Sequence, residues 1–234
     1  MNEEVLYSND DLRNRILNSL LKEDVFVDFT LNKGEKCIYK KDALGWFRIS
    51  IANSWSSVDL HRKSSFSLCL SPGYSRRFNV LHRWYEPFDR STIKEQRKKA
   101  SVMIGHNVGG GYFDFLRSGD DFEKDYTKLK EVVFTEARPF FIGYRTLEGY
   151  YLHEVLPGIQ GKKDLRKDTV FWAFEWLMAT RIVAPESYES TKHYIIDYLY
   201  HSSYPISKIF RSYYEVHIID ILRVLESYDY KKDI

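Results

Sequence analysis

"WFRISIA", residues 46–52, alternates Phe47, Ile49 and Ile51 with Arg48, Ser50 and Ala52. A period of two puts the first set on one face of an extended chain and the second on the other, which predicts a half-buried strand. "SFSLCLS", residues 65–71, repeats the pattern with Phe66, Leu68 and Leu70 inward, and Pro72-Gly73 reads as its stop. Upstream, "VFVDFTL" (25–31) and "EKCIYKK" (35–41) read as strands joined by the turn signal Asn32-Lys33-Gly34. The pattern predicts a largely antiparallel sheet with one buried and one polar face. "RRFNVLHRWY", residues 76–85, reads as a further strand before Pro87.

Helices flank this sheet in the sequence. Ser8-Asn9-Asp10-Asp11 is an N-cap signal, and Leu12, Ile16, Leu17, Leu20 and Leu21 share one helical face, which predicts a helix over Asp10 to Lys22. Behind Ser91, "TIKEQRKKA" reads as a charged outer helix. The middle of the chain is harder to read, and "VVFTEA" (132–137) and "PFFIGYRT" (139–146) are taken as strands. Beyond residue 165 the period changes to 3.6. Asp168 and Thr169 lead a helix carrying Phe171, Phe174, Leu177, Met178 and Ile182, and Ala184-Pro185-Glu186 ends it and starts another. That next helix buries Tyr194, Ile195, Tyr198 and Leu199, and a last one from Tyr204-Pro205 carries Ile206, Phe210, Tyr213, His217, Ile221 and Leu225. The expected architecture is α+β, with an N-terminal helix, a largely antiparallel sheet and a helical C-terminal third packed on it. Its expected parts are residues 1–165 and a helical subdomain over 166–234, joined as one compact body.

Composition narrows the function classes. With 35 basic and 33 acidic residues in 234, the net charge of +2 supplies no global attraction to nucleic acid or anionic membrane. No run approaches the roughly 20 apolar residues of a membrane span. Met1-Asn2-Glu3-Glu4 is acidic where a secretory signal is basic, so the expected location is the cytoplasm. Cys37 and Cys69 both fall in strand patterns and are expected as two reduced, partly buried thiols, with no disulfide and no cysteine zinc site. The 18 Tyr, 15 Phe and 5 Trp favour either a thick aromatic core or a contact surface, since Tyr buries a large ring while keeping a polar tip wet.

Four constellations carry candidate chemistry. Residues 74–101 hold Arg76, Arg77, Arg83, Arg90, Lys94, Arg97, Lys98 and Lys99 among Tyr74, Phe78, Trp84 and Tyr85. Cations interleaved with aromatic planes suit a single-stranded nucleic acid groove or an acidic protein; the bland alternative is a solvated strand edge and helix face. His106 followed by Gly109, Gly110 and Gly111 suggests a ligand loop, yet the spacing fits neither a phosphate loop nor an oxyanion loop, and a backbone bend is the simpler reading. His193, Asp197 and His201 stack at i, i+4 and i+8, a ligand-like spacing with no further ligand in view, so no metal is expected. His153-Glu154 next to Tyr150-Tyr151 offers a base and an orienter, but neighbours on a strand would face apart.

"LGWFRISIANSWSS" and "SSFSLCLSPGYSRRF" together resemble an uncharacterised family of small bacterial α+β domains, of the domain of unknown function 4304 type, over residues 10–120. The resemblance implies a sheet-plus-helix domain and carries no active site onto these residues. The helical part after residue 165 departs from it. With no enzyme signature and no cofactor motif, the reading is a non-catalytic binding protein that engages a protein partner, acidic by the charge of residues 74–101, in the manner of a toxin-neutralising immunity protein. The alternative is a nucleic-acid-binding or nucleic-acid-processing protein that uses residues 74–101.

Overall fold

The structure, a computed structural model, describes residues 7–53, 67–84, 88, 104–107, 113–116, 118–162, 171–201 and 208–234. It is α+β, with an N-terminal helix, an antiparallel sheet and C-terminal helices. The chain divides into two compact units. The first comprises Met1–Asp42, Trp46–Arg76 and Ile104–Ile142, and the second Ala43–Gly45, Arg77–Met103 and Gly143–Ile234.

In the first unit, helix α1 (Asn9–Leu20) starts where Ser8 Oγ accepts the Asp11 N–H at 3.1 Å, satisfying one of the amides a helix start leaves open. Leu12, Ile16, Leu17 and Leu20 are fully buried along one face, as their spacing predicts. The following segment corrects the reading of residues 25–31 as one strand. A 3-10 turn occupies Asp24–Phe26, and strand β1 is only Thr30–Asn32. Alternation breaks because Phe26 faces inward, stacked on Phe134 at 5.6 Å and edge-on to Phe29 at 5.2 Å, while Val25 and Val27 point out.

Strands β2 (Cys37–Lys41), β3 (Gly45–Asn53) and β4 (Ser67–Phe78) follow β1 in sheet order, and β2–β3 is antiparallel with Ile38 opposite Ile49. Phe47, Ile49 and Ile51 are buried as the alternation requires. Cys37 is buried, Cys69 is half-buried, and neither is in a disulfide. Two short strands, β5 (Ile104–Asn107) and β6 (Phe113–Leu116), pair antiparallel with the same strand β4.

Pro72-Gly73 does not stop β4, which continues to Phe78. Pairing with β6 ends at Leu70–Phe113, and pairing with β5 begins at Gly73–Asn107. Pro72 therefore stands opposite the gap between the two partners, where its missing N–H removes no ladder bond on that side. The extended reading of residues 76–85 needs the matching correction: Arg76 to Phe78 end β4, and Val80–Arg83 form a short helix, α2.

Helix α3 (Phe122–Gly143) stands where "VVFTEA" and "PFFIG" suggested strands. Short windows there are rich in β-branched and aromatic residues, but over the whole length Phe122, Tyr126, Leu129, Val133, Ala137 and Phe140 recur every three or four residues and are buried. Pro139, which cannot donate to a preceding carbonyl, lies on the exposed side. Phe140 and Phe141 pack against Tyr74 of β4, and Phe141 also meets Phe47 of β3. Burial of each large side chain in this aromatic layer stabilises the unit by roughly 1.5–3 kcal/mol.

The second unit is helical. A continuous run comprises α4 (Leu147–Tyr150), a π-helical turn (Tyr151–Val155) and α5 (Leu156–Ile159). It is followed by α6 (Phe171–Val183), α7 (Tyr188–His201) and α8 (Lys208–Ser227). Every residue from Ala173 to Thr180 is buried, which makes α6 the central helix of this unit. Arg181 at its end donates to the Leu225, Glu226 and Tyr228 carbonyls at 2.6, 2.6 and 3.0 Å, so a cation satisfies the open C-terminal carbonyls of α8.

Near that helix end, Lys192 Nζ donates to Glu226 Oε1 at 2.6 Å, and Tyr188 Oη donates to the same oxygen at 3.1 Å. The hydrogen bond from Lys192 holds the Glu226 carboxyl below its ordinary pKa, with burial opposing it. A lowered folded-state pKa contributes stability that is present above the unfolded value of about 4.3 and lost as pH falls through the lower folded value. Lys192→Met should therefore flatten the acid side of the stability profile, as read by urea unfolding between pH 6 and pH 2. A profile parallel to the wild type would refute the linkage.

Candidate functional site

The basic aromatic segment was expected to present its cations to a partner. Along β4 burial alternates from Leu70 to Phe78, and Arg76 falls on the inward side with Tyr74 and Phe78. Its guanidinium is fully buried, 4.1 Å from the Phe47 ring centroid, and donates to Asp42, whose Oδ2 lies 2.9 Å away. Burial holds the Arg76 pKa below its ordinary value, Asp42 opposing in part, and the group stays charged. Arg76 thus anchors β4 to the end of β2 and has no surface to offer a ligand.

Arg77 is half-buried and Arg83 is exposed, with its guanidinium bonded to the Asp233 carboxylate. Trp84 is buried; its indole N–H donates to the Leu81 carbonyl at 3.0 Å and its ring meets Phe174 edge-on. Tyr85, Arg90, Lys94, Arg97, Lys98 and Lys99 lie outside the described residues, and so do Gly109, Gly110 and Gly111. His106 is placed by its backbone alone, in β5 opposite Tyr74.

His193 and Asp197 both lie exposed on α7, and His193 Nδ1 is 2.7 Å from the Glu189 carbonyl of the preceding turn. One ring nitrogen is therefore occupied within the helix itself. Among the described residues no group of three or more His, Cys, Asp or Glu side chains is placed to hold a metal ion.

His153 and Glu154 are on the π-helical turn, not on a strand. The turn inserts one extra residue into the helical repeat, and Glu154 faces in while His153 faces out. Tyr144 links them: its hydroxyl donates to Glu154 Oε2 at 2.9 Å, and its ring lies 6.0 Å from the His153 ring. A second buried acid pair joins α2 to α6, with His82 Nε2 3.4 Å from Glu175 Oε1. Both carboxylates are buried, and Glu154 accepts from the Tyr144 hydroxyl, as a low-dielectric interior demands. Sequence reasoning missed Glu175, Asp42 and Tyr144 as partners because each lies far along the chain, or off-register, from the group it meets.

The exposed groups tell a different story. On α8, Ile218, Ile221 and Leu225 are buried, while Val216 and Ile219, one turn apart, are 73% and 69% exposed. The helix thus carries apolar residues on two faces, one of them open. Polar Glu215, Asp220 and Arg223 rim the open pair. A signal for this was present in "EVHIIDIL", where apolar residues are too many for a single stripe.

Compared with known proteins, the chain matches no family model, no curated sequence and no solved structure. Among the described residues no helix is long and apolar enough to cross a membrane.

Proposed function

We propose that this chain is a non-catalytic bacterial binding protein that takes a protein partner on the open face of α8, in the manner of an immunity protein that neutralises a toxin. The observation that carries the reading is the pair Val216 and Ile219. Large aliphatic side chains held in water on one turn of a helix, rimmed by charge, are the composition of a protein contact, with an apolar centre and a polar edge. The location is the cytoplasm. A nucleic-acid reading draws on residues 74–101, and two of its anchors, Arg76 and Trp84, are buried.

The test is affinity capture from native cells with the wild type and with Val216→Asp/Ile219→Asp. Both positions face water, so the double variant folds. The reading expects a recurrent protein on the wild-type chain that the double variant loses. Retention of nucleic acid in its place, released with a steep salt dependence, would replace this reading with the other.

A further inference from the structure

A shallow, open groove of about 490 Å³, lined by polar and apolar surface alike, runs along the outer face of α1 with Tyr7 and Glu123 beside it. Two rows of side chains form its floor: Asn14, Asn18 and Lys22 at i, i+4 and i+8, and Arg15 and Ser19 at i and i+4. Arg15 is fixed in position. Its guanidinium lies 3.7 Å from the Phe122 ring centroid and 5.6 Å from that of Tyr7. The neighbouring backbone makes room for this sandwich, because Gly119, at φ +82°, leaves space that a Cβ would take 2.7 Å from Tyr7 and 3.1 Å from Arg15 Nη1. A guanidinium stacked this way keeps its in-plane N–H groups for a carboxylate.

The rest of the floor is equally open. Asn14 and Ser19 are half-buried, and neither their side chains nor that of Asn18 has a hydrogen-bond partner among the described residues. Lys22 forms no ion pair among them. Arg15 has Glu123 at 4.0 Å, a long contact to a largely exposed carboxylate that a better-placed anion would displace.

Spacing then selects the ligand. Arg15 and Lys22 are seven residues apart, roughly 10 Å along the helix axis at 1.5 Å per residue. A polyproline II segment repeats every three residues with a rise of about 3.1 Å each, so its i and i+3 side chains share a face about 9 Å apart. We infer that the α1 groove binds an extended acidic peptide of the form acid-x-x-acid, with Arg15 and Lys22 each taking one carboxylate and the Asn14 and Asn18 amides donating to the backbone carbonyls between. Asp11, one turn before Arg15, and Glu123, 4.0 Å from it, flank the Arg15 end of the groove, whereas Lys22 closes the other end, so the peptide carboxylate at Arg15 has to displace Glu123. This site shares no residue with the α8 face.

The full chain, labelled with nitrogen-15, would be titrated with Ac-Glu-Pro-Pro-Glu-NH2 while the Arg15 Nε–H and the Asn14 and Asn18 side-chain amide signals are followed. Saturable shifts at these three residues are expected, at least about fivefold weaker for Ac-Glu-Pro-Glu-Pro-NH2, which keeps the charge and loses the spacing, and absent for Ac-Gln-Pro-Pro-Gln-NH2. Arg15→Gln should abolish the shifts and Lys22→Gln should weaken binding about two- to fivefold, with the remaining spectrum unchanged. Equal shifts from all three peptides, no saturation by the first, or stronger shifts of the same signals by a short oligodeoxythymidine would each overturn the proposal. Because the two sites share no residue, a protein that the Arg15→Gln chain still captures through Val216 and Ile219 upholds the α8 reading whichever way the peptide titration falls.

Discussion

Replacing Asp42 with alanine is expected to destabilise the fold by about 2–4 kcal/mol, far beyond the loss of a surface ion pair. The guanidinium of Arg76 has no exposed surface, and the Asp42 carboxylate, itself part-exposed just after β2, lies 2.9 Å from it. Removing a buried charge's partner leaves the desolvation penalty in place while deleting the attraction that offsets it. Arg76→Met removes the charge together with its partner's task and keeps most of the volume against Phe47, so it should cost less than Asp42→Ala. Urea unfolding of the two variants decides the order. A shift of under about 0.5 kcal/mol for Asp42→Ala would mean that Arg76 is held by other means.

Gly158→Ala carries the next largest expected effect on stability. Helix propensity alone would favour alanine by about 1 kcal/mol. Here a Cβ on Gly158 would stand 1.8 Å from Trp176 Cη2 and 2.3 Å from its Cζ3, closer than any carbon contact allows, and Trp176 is buried on the central helix α6. The ring must move or the α5 backbone must, at a cost of roughly 1–3 kcal/mol for overpacking of this kind. Trp176→Phe removes the atoms in conflict, so the double variant should be more stable than the two single losses added together, a coupling that a double-mutant cycle measures directly. Simple additivity would place the contact elsewhere.

Residues 46–52 and 9–20 show what is legible in this sequence. Where burial is one-sided and local, as along WFRISIA or the Leu12, Ile16, Leu17 and Leu20 stripe, periodicity alone fixes both the element and the face it buries. The same rule, carried from Tyr74 to Phe78, puts Arg76 on the inner face, but the density of arginines and aromatics in that stretch suggests a surface. The strand's period outranks composition, because alternation decides the side and Asp42 makes the inward charge tolerable. Residues 132–146 fail in the other direction. Val132, Val133, Phe140 and Phe141 favour a strand residue by residue, whereas the helix is set by spacing across 22 residues and by packing of Phe140 and Phe141 on Tyr74. The π-helical turn at Tyr151–Val155 leaves no local sign in the sequence, and the buried Glu154 that it carries accepts from Tyr144, ten residues away.

The same contrast governs the candidate sites. A buried acid cluster such as Glu154 with Tyr144, or Glu175 with His82, depends on residues brought together by tertiary packing, and sequence spacing has no access to it. The open face of α8 is different in kind. Val216 and Ile219 sit in an apolar run longer than one helical stripe can bury, and the excess is a property of the local sequence alone.

The affinity of the captured protein for the wild-type chain and for Val216→Asp/Ile219→Asp is the direct measure of the binding reading. Two central aliphatic contacts turned into buried, unpaired charges should weaken the complex by at least about 2–4 kcal/mol, some thirtyfold to a thousandfold in Kd, with the unfolding midpoint of the free chain unchanged. An unchanged Kd for the double variant would contradict the assignment of α8 as the face that meets the partner.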